Sequence, residues 1–92
     1  MTVLSLAKIT EALAEVPGWQ MLNGELVREF SFTDFREAMS FVNAVAPLAE
    51  EAGHHPDIDI RYNKVRLALI SHDAGGITEL DFSLARHVSR ML

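Results

Sequence analysis

The sequence contains no cysteine, only three prolines, and a single tryptophan and a single tyrosine. Without cysteine there is no disulfide and no thiolate metal site, so a zinc centre would need histidine and carboxylate alone. The same absence fits the cytoplasm. Basic residues are also scarce: eight lysines and arginines stand against thirteen acids, a net charge of −5. No basic run occurs, so nucleic acid is not an expected partner, because phosphate neutralisation needs a stripe of lysine or arginine. No stretch approaches the roughly 20 apolar residues of a membrane span, and no membrane partner is expected. Lys8, Glu11 and Glu15 interrupt the apolar N-terminal residues, which therefore do not read as a signal peptide. Linkers, repeats and low-complexity segments are missing as well. The expectation is one cytoplasmic domain spanning residues 1–92.

What is present is apolar: 49 % of the 92 residues. A chain this small buries only about 60–65 % of its unfolded surface, so such an excess points to further burial between subunits and to an oligomer. Ser5 can cap a first helix with Leu6, Ile9, Leu13 and Val16 on one face, closed by Pro17-Gly18. Asn23-Gly24 between WQML and ELVREFSF predicts a hairpin with a type I′ turn. Thr33 or Asp34 caps a second helix, the latter with Glu37 at capping-box spacing. Its apolar stripe reads as Phe35, Met39, Val42, Ala46 and Ala49, widened by Phe41, Val45 and Leu48. So broad an arc suggests packing on two sides, against the sheet and against another subunit. Pro47 should kink this helix and Gly53 should end it. IDIRY and VRLALIS alternate around Asn63-Lys64 and predict a second hairpin. Thr78 caps a last helix with Leu80, Leu84, Val88 and Met91 aligned. The order α-β-β-α-β-β-α implies an α+β fold, a four-stranded antiparallel sheet with three helices packed on one face.

Three of the four histidines, His54, His55 and His72, lie at borders between neighbouring elements. If the last two strands pair through Asn63-Lys64, His55 falls opposite His72 and the imidazoles gather at one end of the sheet. Glu50, one helical turn before His54, could orient it. Imidazoles both give and take protons near neutral pH. No serine completes an evident triad and no glycine-rich loop precedes a helix to cradle phosphate, which leaves proton shuffling: dehydration, isomerisation or tautomerisation. A zinc hydrolase built on the three histidines is the competing reading, although adjacent residues in extended chain point to opposite sides. Asp81, third after Thr78, is also accounted for as a carboxylate at a helix N-terminus. Tyr62 and Trp19 read as packing residues and His87 as exposed.

Glu50, three residues, His54-His55-Pro56, five residues, Tyr62, nine residues, His72, eight residues and Asp81 together resemble the signature of the pterin-4a-carbinolamine dehydratases. GW at 18–19, FSFTDFREAMSFV at 30–42, YNKV at 62–65 and SHDAGGITELDFSLA at 71–85 extend the resemblance over nearly the whole chain. It implies loss of water from a 4a-hydroxytetrahydropterin to give quinonoid dihydropterin, without cofactor or metal. It implies His54 and His72 as acid/base groups, His55 as a pterin-orienting residue, and Gly53, Ser71 and Asp73 lining the pocket. Glu50 and Asp81 become supporting carboxylates. Homodimers are implied, often paired into tetramers through the 34–52 helix. Ile58 stands where animal members carry tryptophan. The alternative is a pterin-binding or oligomeric interaction module of the same fold without turnover.

Overall fold

In the computed structural model, which describes residues 2–92, Ser5 caps α1 (Leu6–Leu13) by accepting the Lys8 amide. Strands β1 (Gln20–Leu22) and β2 (Glu25–Ser31) then form the expected hairpin. Its turn residues Asn23 and Gly24 have φ of 52° and 82°, as a type I′ turn requires. Asp34 caps α2 (Phe35–Ala52) through the Glu37 amide, while the Glu37 carboxylate reaches back to the Thr33 amide. β3 (Asp57–Arg61) and β4 (Lys64–Leu69) follow, and α3 (Glu79–Arg90) ends the chain. The four strands form one antiparallel sheet in the order β1-β2-β4-β3. No helix among the described residues is long and apolar enough to cross a membrane.

The sheet offers one apolar face to the helices. Registry places Leu26 beside Leu69 and Phe30 beside Val65, with Leu67 on the same side; all five are buried with Phe82, Leu84, Ala85 and Val88 of α3. On the opposite face Glu29, Arg66 and Asp59 form one row across three strands, an alternation of charge that suits solvent. Trp19 is also core, and its indole N–H donates to Ser89 at 3.1 Å. Phe82 is fully buried within this core. Phe82→Ala should cost about 3–5 kcal/mol, read as a lower urea midpoint; a loss under about 1 kcal/mol would mean that the helical layer does not depend on this ring.

Three expectations need correction. In α2 the buried stripe is Ala38, Phe41, Val45 and Ala49, whereas Phe35 is half exposed and Ala46 is exposed. The rotation follows from aromatic packing: the Phe41 ring centroid lies 4.6 Å from that of Phe30 and 5.1 Å from that of Phe32. Pro47 sits on the exposed side of this helix, which ends at Gly53 as expected. In α1, Leu6 is 80 % exposed, while Val16, beyond the helix end, is completely buried. Finally, the second hairpin turns at Tyr62-Asn63, because Arg61 pairs with Lys64. Asn63 is held there by two 2.8 Å bonds to the Phe32 backbone, one from its side-chain amide and one to its carbonyl. This leaves the positive φ of 50° to Tyr62.

Candidate active site

The shifted turn changes how the histidines meet. Pairing between β3 and β4 ends at Asp57 and Ala68, before either histidine of the pair, so His55 does not face His72 across a ladder. The end of α2 sets the pair instead. Gly53 adopts φ 61° and closes the helix as a Schellman motif. The Gly53 amide bonds Glu50 O at 3.2 Å and the His54 amide bonds Ala49 O at 3.1 Å. A side chain with a Cβ is strained at that φ, so glycine is what lets the chain reverse sharply into His54-His55-Pro56.

His54 then reaches the first turn of α3. Its Nε2 lies 2.5 Å from Asp81 Oδ1. The Asp81 side chain is completely buried and that of His54 is only 13 % exposed. Burying a carboxylate is costly unless hydrogen bonds compensate, and Asp81 is well supplied. Its Oδ2 accepts the Ser71 hydroxyl at 2.9 Å and the Thr78 amide at 2.8 Å. Ser71 Oγ and Thr78 Oγ1 are 2.7 Å apart, and Thr78 Oγ1 accepts the Leu80 amide at 3.3 Å. Asp81 is therefore both half of the α3 capping box and the anchor of His54. Glu50, expected from its spacing to orient His54, does not contact it; Asp81 does. Glu50 meets His55 instead, its Oε2 2.5 Å from His55 Nε2, in a pair whose side chains are 75 % and 63 % exposed. Solvent holds the worth of such a pair to about 1 kcal/mol or less.

His72 and Asp73 stand exposed in the turn between β4 and α3. The turn is closed by an antiparallel bridge between Ser71 and Gly76, with the Ser71 amide 3.0 Å from Gly76 O. Gly75, at φ 81°, accommodates the reversal. Ser71 is thus the hinge of the arrangement. It precedes His72 in the chain and its hydroxyl bonds the same carboxylate that holds His54. The fold brings the His72 turn to the His54–Asp81 pair through this contact rather than through strand register. Thr78, read from the sequence only as a cap, belongs to the same network; the T-x-x-D spacing of its capping box was the available signal.

Among the described residues no group of three histidine, aspartate or glutamate side chains could hold a metal ion, so the three-histidine zinc arrangement has no geometric support. A cleft of about 360 Å³ runs between α2 and α3, lined by Leu48, Glu51, Ala52, Leu80, Ser83 and His87. His54, His55 and His72 are not among its lining residues. Its wall does adjoin the site in sequence, through Ala52 before Gly53 and Leu80 before Asp81.

Residues 2–91 match the Pterin 4 alpha carbinolamine dehydratase family. A provisionally named pterin-4-alpha-carbinolamine dehydratase of Chloroflexus aurantiacus is 56 % identical over 92 residues, covering 100 % of this chain and 99 % of the relative. One from Sulfurisphaera tokodaii is 44 % identical with the same coverage. The crystal structure of a transcriptional coactivator/pterin dehydratase from Brucella melitensis superposes with a TM-score of 0.93 at 35 % identity, over 98 % of both chains. A pterin dehydratase-like protein identified as a RuBisCO assembly factor in the alpha-carboxysome matches at a TM-score of 0.64 and 27 % identity, over 79 % of this chain and 84 % of its own. With the α-β-β-α-β-β-α fold, the spaced histidines and these relatives in agreement, the chain belongs to the pterin-4a-carbinolamine dehydratase family.

Proposed function

We propose that the protein dehydrates a 4a-hydroxytetrahydropterin to quinonoid dihydropterin and water, in cytoplasmic recycling of a pterin cofactor, by imidazole acid–base chemistry. The C4a–O bond breaks as one imidazolium protonates the departing hydroxyl. A neutral imidazole takes the proton from N5, and the C4a=N5 double bond forms. His54 and His72 carry the two proton transfers, and His55 orients the ring. Gly53 and Asp73 flank the pterin, Ser71 borders it, and Glu50 and Asp81 support the imidazoles. The observation that carries this reading is the buried Asp81 carboxylate, which holds His54 with one oxygen and, with the other, the residue preceding His72. A positioned imidazole contributes roughly 10²–10⁴-fold to such a step. Stopped-flow absorbance of freshly generated 4a-hydroxytetrahydropterin tests it. Acceleration by the wild-type chain is expected; decay at the uncatalysed rate would reject turnover and favour the second reading, a binding or assembly module. That second reading draws on the RuBisCO assembly factor, whose fold this chain shares.

The same proposal includes homodimers that pair into tetramers along α2. Half-exposed Phe35, with Met39, Val42 and Ala46 beside it, leaves an apolar flank on that helix next to its buried stripe. Phe35→Glu together with Ala46→Glu is expected to reduce the mass from tetramer to dimer by light scattering. A tetramer that survives both charges would remove α2 from the interface.

A further inference from the structure

We propose that the proton-carrying atom of His54 is Nδ1, and that Asp81, oriented by Ser71 and Thr78, is the positioning residue that fixes this tautomer. The kinetic part of the inference rests on the dehydratase reading; the tautomer does not.

The direction of every hydrogen in the network follows from counting donors. A hydroxyl has one hydrogen, a backbone amide only donates, and a carboxylate only accepts. Ser71 gives its hydrogen to Asp81 Oδ2, so in the 2.7 Å contact between the two hydroxyls Thr78 is the donor. Thr78 Oγ1 in turn accepts from the Leu80 amide. The chain of donors therefore runs one way, from Leu80 through Thr78 and Ser71 to Asp81. The Thr78 amide supplies Oδ2 with its second donor. Oδ1 is left to accept from His54 Nε2. A neutral imidazole carries one hydrogen; with that hydrogen on Nε2, Nδ1 is bare. No protein group among the described residues bonds Nδ1, and no buried side-chain nitrogen or oxygen lacks a partner. Nδ1 therefore reaches the surface, open to a substrate proton.

Asp81→Asn makes the inference sharp. An amide has one accepting oxygen and one donating nitrogen. The Thr78 amide cannot reverse its polarity, so the asparagine oxygen must take the place of Oδ2 and its NH₂ must face His54. Nε2 is then forced to accept, and the ring hydrogen moves to Nδ1. The substitution changes no shape and keeps the cap.

Nitrogen-15 spectra of the histidine rings in the labelled full chain, recorded at alkaline pH with His54 assigned by its loss in His54→Gln, read the tautomer directly. The wild type is expected to carry its hydrogen on Nε2, and Asp81→Asn on Nδ1, with kcat lowered about 100-fold or more and KM little changed. A wild-type hydrogen on Nδ1, or one that stays on Nε2 in the variant, overturns the tautomer assignment. A flipped tautomer with unchanged kcat overturns Nδ1 as the reacting atom. Should the variant not fold, the wild-type spectrum alone decides the tautomer; a wild type without turnover ends the dehydratase reading and leaves the spectrum to stand.

Discussion

His72→Ala should lower kcat for dehydration about 10²–10⁴-fold without moving the unfolding midpoint. The side chain is exposed in the Ser71–Gly76 turn, and exposed substitutions usually stay within about 0.5 kcal/mol. His54→Ala should lower kcat over the same range, but it should also destabilise the fold, because it strips the partner from Oδ1 of a fully buried carboxylate. The pair of variants therefore separates chemistry from support. Stopped-flow rates and urea titrations on both proteins provide the check. Wild-type turnover in His72→Ala would remove it from the reaction, and an undiminished midpoint in His54→Ala would mean that Asp81 finds another donor.

Asp81→Ala should cost about 3–5 kcal/mol of stability, as much as emptying the Phe82 site in the core. Three donors lose their acceptor together: the Thr78 amide, the Ser71 hydroxyl and His54 Nε2. Each buried group left unsatisfied costs about 1–3 kcal/mol, and α3 loses its capping box as well. Small domains hold only about 5–15 kcal/mol in total, so the variant should be marginal at room temperature. Urea unfolding followed by far-UV circular dichroism measures the difference. A loss below about 1 kcal/mol would show that water replaces the carboxylate, and the site would then be less closed than its hydrogen bonds indicate.

Much of this architecture is legible in local sequence because local physics decides it. Ser5, Asp34 and Thr78 are caps in the sequence and in the structure. Asn23-Gly24 turns as its backbone preference demands, and Gly53 ends α2. The alternation of β4 locates its core side. Two errors have the same origin. Local sequence favours a turn centred on Asn63-Lys64, but the bonds of Asn63 to Phe32, 31 residues away, set the turn one position earlier. Periodicity alone favours a different α2 stripe, yet its rotation answers to Phe30 on β2 and to Phe32 just beyond it.

The candidate site divides along the same line. Residue type and position in the chain single out His54, His55 and His72, whereas Ser71 and Asp81 enter as site candidates only through the family resemblance. Which carboxylate serves which imidazole was not available there. Glu50 is one turn from His54 and Asp81 is 27 residues away, so sequence proximity favoured the wrong partner. Tertiary structure reversed the choice because the Schellman turn at Gly53 carries His54 away from its own helix and onto the start of α3. A buried carboxylate needs donors from several elements at once, and only the folded chain gathers Ser71, Thr78 and His54 around Asp81.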